Sequence, residues 1–186
     1  MLEDFLGTTV DAEILVANPW KAHLLVADRY GEGRVLRSGD ATHQFVPTGG
    51  YGMNTGVADA CDLGWKLWAT LAGWGGPSLL GSHEAEHRPV ALTNREASRN
   101  HVLTRFRIAA LYAAQPDLHD EGLLGEKARN TRAAQLDEIG NAENECWGIE
   151  YGYRYDDSPI VAVDAEPSSP VDPRRYEPST RPGASR

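Results

Sequence analysis

Residues 39–60 constrain the fold of this chain most strongly, because they place a strand end, a carboxylate, a glycine-rich turn and a helix start in direct succession. Residues 34–36 predict a short strand that ends before Gly39, where the chain can turn without a Cβ clash. Asp40 then lies at the carboxyl end of a strand, a usual position for ligand-binding side chains in open α/β sheets. The arrangement predicts a site for a nucleotide-like cofactor.

A long helix is predicted to begin just after Gly52. The first N–H groups of such a helix lack internal partners, and together with the helix dipole they favour a bound anion or an electron-rich carbonyl oxygen. We expect the helix to cover residues 53–72 and to be buried along one face, because apolar residues recur at spacings of three and four. These residues are Val57, Cys61, Trp65, Trp68 and Leu71.

A set of short motifs with fixed spacing covers residues 34–91, preceded by Gly33. Its members are Arg34, Val35, Gly39, Asp40, Ala41, His43, Pro47, Gly49, Gly50, Gly52, Met53, Asn54, Thr55, Gly56, Asp59, Ala60, Leu63, Trp65, Lys66, Leu67, Leu79, Leu80, Glu84, Glu86, Arg88, Pro89, Val90 and Ala91. The set resembles the second flavin-contacting motif of the class A flavoprotein monooxygenases, the p-hydroxybenzoate hydroxylase-like aromatic hydroxylases. The chain departs from that pattern at three positions, where Asp62 replaces Asn, His83 replaces Tyr and His87 replaces Arg.

The resemblance implies an α/β fold: the C-terminal part of a glutathione-reductase-type FAD-binding fold, with short strands followed by long helices and an extended C-terminal linker. The family holds the ADP half of FAD with a G-x-G-x-x-G motif, and none occurs in these 186 residues. We therefore expect the C-terminal part of a longer hydroxylase, cut at both ends; the alternative is a complete small protein. Its parts would be residues 1–107, the C-terminal part of the FAD-binding domain; 108–166, a helical segment with an aromatic strand; and 167–186, a proline-rich linker.

The resemblance also implies the flavin contacts. Asp40 is expected to accept hydrogen bonds from the ribityl hydroxyls, and the carbonyl of Pro47 to lie near the reactive edge of the isoalloxazine ring. Glycines in the turn would let the backbone approach a flat ring, and backbone N–H groups would face its pyrimidine end. The alternatives are an ordinary turn aspartate and a glycine-rich helix cap. The expected cofactor-binding residues are Gly39, Asp40, Pro47, Gly49, Gly50, Gly52, Met53 and Asn54.

The activity implied by the resemblance is hydroxylation of a phenolic or other small aromatic substrate by an FAD-dependent monooxygenase that uses NAD(P)H and dioxygen. Most of the chemistry belongs to FAD, while the protein positions the flavin and excludes water. No catalytic residue is assigned, because the phenol-activating base is expected mostly upstream. The alternative is an inactive fragment or interaction module of the same ancestry.

Another motif, His83-Glu84-Ala85-Glu86-His87, has the H-E-x-x-H pattern of zinc metallopeptidases, in which two histidines on one helical face bind the metal. Pro89, two residues later, would disrupt the helix that must hold the pair. The segment also matches the family's Y-E-A-E-R stretch, so we interpret both histidines as surface replacements. A zinc metallopeptidase stays an alternative, and no metal ligand is predicted.

The composition argues against several classes of partner. A formal net charge of −9 disfavours binding to nucleic acid or to an anionic membrane, and no stretch is long and apolar enough to span a bilayer. Cys61 and Cys146 are far apart, and we expect both to be reduced core residues. These features favour a cytoplasmic protein.

Other patterns predict local structure. Short apolar runs indicate strands at residues 13–17 and 23–27, and the aromatic run at 151–155 indicates a third. A second helix is expected from Ser78 or Ser82 to about residue 107, with Glu86 in a capping box and Pro89 at a kink or at the true start. A polar helix is expected at residues 125–139.

Several side chains carry both a structural and a functional interpretation. His43 could assist proton movement near the cofactor, although such a residue more often hydrogen-bonds its loop. Tryptophans at helical spacing indicate core and helix-end packing rather than a substrate platform, and basic side chains indicate solvated faces. The residues concerned are Trp65, Trp68 and Trp74 in the first group and Lys66, Arg88, Arg95 and Arg99 in the second.

Overall fold

Helices supply most of the regular structure, and the strands are short. The computed structural model describes residues 2–114, 116–142, 144–162 and 169–184. The helices are α1 (Leu2–Leu6), α2 (Tyr51–Leu71), α3 (Ser82–Ala113), α4 (Gly122–Ile139) and α5 (Trp147–Glu150). The strands are β1 (Leu25–Val26), β2 (Gly31–Glu32), β3 (Val35–Leu36) and β4 (His43–Gln44), and 3₁₀ turns cover Gly39–Ala41, Thr48–Gly50 and Pro116–His119.

The described strands form two antiparallel pairs. β1 pairs with β4, and β2 forms a hairpin with β3. The strand predicted at residues 34–36 is confirmed as β3, and the one predicted at 23–27 is limited to β1. The strand predicted at 13–17 is wrong, because this exposed segment has no neighbouring described strand to complete its backbone hydrogen bonds.

The helix predicted at residues 53–72 is confirmed as α2, but its buried face is not the apolar one. Val57, Cys61, Trp65, Trp68 and Leu71 are all exposed. The buried residues lie on the opposite face and include polar ones: Tyr51, Thr55, Asp59, Leu63, Lys66 and Ala69.

Helix α3 decides which face of α2 is buried, because it supplies polar partners for it. The two helices run antiparallel, as their side-chain contacts show: Asn94 donates a hydrogen bond to Thr55, and Glu86 pairs with Lys66. Buried polar and charged groups are tolerated only when they are paired. This pairing holds the polar face of α2 against α3 and leaves the apolar stripe outside.

The prediction that the Lys66 side chain is solvated is wrong. Lys66 is fully buried, and its Nζ lies 2.8 Å from the Asp62 carboxylate and 2.5 Å from that of Glu86. Arg88 is half-buried and donates to the carbonyl of Ala27, whereas Arg99 is exposed as predicted.

Helix α3 begins at Ser82 and continues through Pro89 to Ala113, so Pro89 does not mark its start. The predicted capping box is absent. The Ser82 hydroxyl donates to the carbonyl of Leu79, and the Glu86 carboxylate is occupied by Lys66 and by the hydroxyl of Ser158. Glu86 thus pairs with a buried lysine instead of capping its own helix.

The C-terminal third carries one more helix than predicted. α4 matches the helix predicted at 125–139, and α5 is short. The strand predicted at residues 151–155 is wrong: in the described part of the chain only Arg154 makes a β-bridge, to Ala184. Aromatic rings pack along this segment instead, with Tyr151 stacked on Trp147 and in contact with Tyr176.

The described tail, residues 169–184, lies against the aromatic segment. Gly148 donates a backbone hydrogen bond to Pro173, and Tyr155 donates one to Gly183. Residues 167 and 168, where the linker was predicted to start, lie outside the described residues. The predicted domain limits stay predictions, and the one at residue 107 falls within α3.

The tryptophans predicted to pack in the core are exposed. Trp68 and Trp74 contact each other edge to face at the end of α2, with ring centroids 5.4 Å apart, so helix-end packing is the only part of that prediction that holds. Cys61 is exposed rather than buried, whereas Cys146 is buried, and both thiols are free. None of the described helices has the length and apolar character needed to cross a membrane.

Replacing Lys66 with Met should lower the free energy of unfolding by about 3–5 kcal/mol, because Asp62 and Glu86 would lose the cation between them. Urea denaturation at pH 7 measures the loss. Lys127, on the exposed side of α4, provides the matched control: Lys127→Met should unfold at the same urea concentration as the wild type. Equal destabilisation by the two substitutions would contradict the buried ion-pair account.

Candidate functional site

The 3₁₀ turn Gly39–Ala41, called here the Gly39 turn, packs directly on helix α2. Gly39 has a positive φ of 59°, which favours glycine. A Cβ added to Gly56 of α2 would come within 3.3 Å of the Gly39 Cα, so glycine favours this close approach. Within the turn, Asp40 is exposed.

A second turn, Thr48–Gly50, leads into α2. Gly49 and Gly50 both have positive φ, and a Cβ on Gly49 would collide with the Tyr51 ring at 2.5 Å. No side chain among the described residues caps the N-terminus of α2. Around Gly52 the space is open, because an added Cβ would meet no described atom within 4 Å.

Three of the predicted flavin contacts line one open cleft of about 660 Å³, called here the Asp40 cleft. They are Asp40, Gly52 and Met53. Sequence reasoning missed the remaining lining residues. Gln44 and Phe45 could have been predicted to line the cleft, because they closely follow the Gly39 turn in the sequence. The lining residues before β1 lie in no recognisable motif, so no sequence signal points to them. The remaining lining residues are Pro19, Trp20, Lys21, His23, Gln44 and Phe45.

The other predicted contacts lie elsewhere. Gly49 and Asn54 line a separate cavity of about 330 Å³ beside three tyrosines of the aromatic segment. Asn54 also donates to the carbonyl of Gly50. The backbone of Pro47 and Gly50 forms the turn before α2, and Gly39 lies behind the cleft against Gly56.

Asp59 of α2 connects the Gly39 turn to both long helices. This fully buried carboxylate accepts hydrogen bonds from the Gly39 N–H at 2.9 Å, from His43 Nε2 at 3.1 Å and from His87 Nδ1 at 2.8 Å. The Thr42 hydroxyl lies 3.3 Å from the same carboxylate. Burial alone would raise the pKa of Asp59, but the bonds from His43, His87 and Gly39 outweigh it and hold the pKa well below its ordinary value.

His43 faces away from the open solvent. It is 1% exposed, bonds to Asp59 through Nε2 and stacks on Phe45 with ring centroids 4.9 Å apart. Phe45 in turn lines the Asp40 cleft. His43 therefore supports the wall of the cleft, which agrees with the loop-holding interpretation.

His83 and His87 are buried, so their interpretation as surface replacements is wrong. His83 Nδ1 lies 2.8 Å from Asp62 Oδ2, and His87 Nε2 lies 3.6 Å from the same oxygen. Burial alone would raise the pKa of Asp62, but hydrogen bonds from His83 and Lys66 lower it below the ordinary value. His83 and His87 face α2 because the carboxylates of Asp59 and Asp62 accept their hydrogen bonds.

The carboxylate that acts as general base in a metallopeptidase has a structural partner in this chain. In the H-E-x-x-H pattern that role belongs to the first glutamate, which is Glu84 here. The Glu84 carboxylate instead accepts the backbone N–H of Tyr30 at 2.7 Å. Buried Tyr30 has a raised pKa, chiefly through burial, and its ring lies beside His83.

Comparison with known proteins identifies the family. Residues 1–98 match the profile of the family described as FAD binding domain. This chain belongs to the FAD-binding domain family. Its short strands followed by long helices confirm the predicted fold class.

The chain is similar to several flavin enzymes over part of their length. It is 41% identical over 179 residues to the FAD-dependent monooxygenase apdD of Emericella nidulans, covering 92% of this chain and 28% of that protein. It is 39% identical over 112 residues to the 4-methyl-5-nitrocatechol 5-monooxygenase of a Burkholderia species, covering 60% of this chain and 20% of that protein.

Solved structures show the same likeness. The rebeccamycin biosynthetic enzyme RebC with reduced flavin matches with a TM-score of 0.72 and 42% identity, over 86% of this chain and 29% of that one. This FAD-binding domain chain thus spans less than a third of the length of these relatives.

The residues around the Asp40 cleft fit the flavin end of FAD. Gly52 leaves open space at the uncapped N-terminus of a 21-residue helix, where the helix dipole favours negative charge. Asp40 offers an exposed carboxylate for hydroxyl donors at the same cleft. The cleft therefore combines donors for an electron-rich ring with an acceptor for a polyol chain.

Changing Asp59 to Asn should destabilise the protein, because each charge-assisted bond to the carboxylate contributes about 1.5–3 kcal/mol. The stabilisation should be complete above the unfolded-state pKa of about 3.9 and decline as the pH falls towards the lower pKa of the folded state. Urea denaturation at pH 7 and at pH 3 measures it. The difference between wild type and variant should be larger at pH 7.

The matched control is Asp40→Asn, the same substitution at the exposed aspartate of the turn. It should leave the denaturation midpoint unchanged at both pH values. If Asp59→Asn also left the denaturation midpoint unchanged, the Asp59 carboxylate would not stabilise the Gly39 turn.

Proposed function

We propose that this chain forms the flavin-ring side of the cofactor site in an FAD-dependent monooxygenase that hydroxylates an aromatic substrate. The observation that carries the proposal is the convergence of Asp40, Gly52 and Met53 on one cleft at the uncapped N-terminus of α2. Family membership and the monooxygenase relatives support it.

In this proposal each part of the cleft binds a different part of the cofactor. The Asp40 carboxylate accepts hydrogen bonds from the ribityl hydroxyls. The backbone at Gly52 and Met53 faces the pyrimidine end of the ring, where preorganised N–H dipoles stabilise added negative charge. When bound, FAD supplies the redox chemistry that transfers an oxygen atom from dioxygen.

The rest of the site keeps these groups in place. Asp59 holds the Gly39 N–H, and so positions the Asp40 carboxylate relative to the start of α2. His43 and Phe45 stack at the cleft wall. Because positioning of bound groups governs such reactions, the buried contacts serve the reaction without touching the substrate.

The proposed substrate class is a phenolic or related aromatic ring. One relative is named for 4-methyl-5-nitrocatechol, which is a substituted phenol. Trp20 and Phe45 provide aromatic surface in the cleft of this chain, which suits a flat ring. We further propose that NAD(P)H is the reductant and that the protein acts in the cytoplasm, where this soluble cofactor is supplied.

The test is flavin retention by the protein expressed from the complete reading frame that contains this chain. Asp40→Ala should reduce the ratio of flavin to protein absorbance after exhaustive dialysis, because losing hydrogen bonds to a carboxylate lowers affinity about ten- to hundredfold. Asp28→Ala, at an exposed aspartate outside the cleft, is the matched control and should retain flavin like the wild type.

Two results would contradict the proposal. One is a wild-type protein that holds no flavin after reconstitution with FAD. The other is equal retention by Asp40→Ala and Asp28→Ala, which would mean that the Gly39 turn does not face the cofactor.

A further inference from the structure

The three departures from the hydroxylase pattern lie together in the structure. Asp62 of α2 and His83 and His87 of α3 place one ligand-type atom each within 4.8 Å of one another. We call this group the Asp62 triangle. His83 and His87 are four residues apart, which puts both rings on one face of α3.

The charges around the triangle do not balance. Asp62 and Glu86 both contact Lys66, and a third carboxylate, that of buried Asp59, contacts His87. By formal charge at pH 7, Asp59, Asp62, Glu86 and Lys66 together carry about −2, which is costly in a buried site.

The hydrogen bonds orient His87 as a metal ligand. Its Nδ1 donates to Asp59 Oδ1 at 2.8 Å, which leaves the Nε2 lone pair facing Asp62 Oδ2. A carboxylate behind an imidazole is the usual support of a metal-bound histidine. The Tyr155 hydroxyl lies 3.4 Å from the same Nε2 and provides a further oxygen.

The separations suit a small divalent cation. Tetrahedral ligands with bonds of about 2.0–2.2 Å lie about 3.3–3.6 Å apart. Asp62 Oδ2 and His87 Nε2 are 3.6 Å apart, whereas Asp62 Oδ2 and His83 Nδ1 are 2.8 Å apart. Entry of a cation requires this second pair to separate by under about 1 Å and Asp62 Oδ2 to release its contact with Lys66 Nζ.

We propose that the Asp62 triangle binds one divalent transition-metal ion, with Zn²⁺ as the best fit to two imidazoles and one carboxylate. The sequence argues against metal binding at this motif through a helix broken at Pro89 and through surface histidines, but α3 continues through Pro89 and both histidines are buried. Lys66 keeps its partner Glu86 when Asp62 turns to the metal. The ion balances the local charge and joins α2 to α3.

The role of this ion is structural. Within the motif, Glu84 accepts the Tyr30 N–H and Glu86 pairs with Lys66, so neither carboxylate is placed to activate a metal-bound water. The ion instead fixes His87, and through Asp59 it supports the Gly39 turn. The site is formed by one half-buried and two buried side chains and does not depend on the proposed flavin reaction.

The experiment is a cobalt(II) titration of the purified, metal-stripped protein expressed from the complete reading frame that contains this chain, with zinc competition and thermal unfolding alongside. Visible absorption reports tetrahedral cobalt with nitrogen and oxygen ligands. We expect saturation at one ion per chain, displacement of cobalt by zinc and a higher Tm with zinc. Asp62→Asn and His87→Gln should each weaken cobalt binding at least tenfold.

His101→Gln is the matched control, because His101 is also a buried histidine of α3 but lies outside the triangle, beside Cys146. It should bind cobalt like the wild type. Absence of a saturable one-to-one complex in the wild type would overturn the proposal, whatever the variants do. Equal binding by His87→Gln and the wild type would also overturn it.

Discussion

The buried carboxylate of Asp59 is the interaction on which the arrangement of the site depends. It accepts hydrogen bonds from a backbone N–H of the Gly39 turn, from His43 on β4 and from His87 on α3. One side chain on α2 thereby joins three separate parts of the chain. Because the carboxylate is ionised and buried away from water, each hydrogen bond to it contributes more to stability than it would in water. Asp59 accepts the hydrogen bond of the neighbouring Gly39 N–H, which leaves the exposed Asp40 side chain available to a ligand.

The same requirement for paired charges organises the contact between α2 and α3. Charged side chains of α2 would be unfavourable in the interior without partners. Helix α3 provides those partners: Asp59 pairs with His87, Asp62 with His83 and Lys66 with Glu86. Ser158, after the aromatic segment, adds a hydroxyl to the Glu86 carboxylate. The interface is therefore specific in register, because a shift of either helix would leave buried charges unpaired.

Local patterns predicted a large part of this fold. The strand before Gly39, the turn itself and the extent of α2 follow from glycine positions and helix periodicity, and all three are confirmed. The buried face of α2 could not be predicted in this way, because apolar spacing identifies a stripe but not its partner. Local patterns place Lys66 and His87 at the surface, because their burial depends on Glu86 and Asp59, which lie 20 and 28 residues away in the sequence. Trp20 lines the Asp40 cleft although no local motif predicts it there.

Amide hydrogen exchange at Gly39, measured by NMR, tests most directly the claim that Asp59 holds the turn. The Gly39 N–H donates to Asp59 at 2.9 Å, so its exchange should be slow in the wild type and at least about tenfold faster in Asp59→Asn. Amides within α4 should exchange alike in both proteins. Fast exchange of the Gly39 amide in the wild type, or unchanged exchange in the variant, would contradict the account.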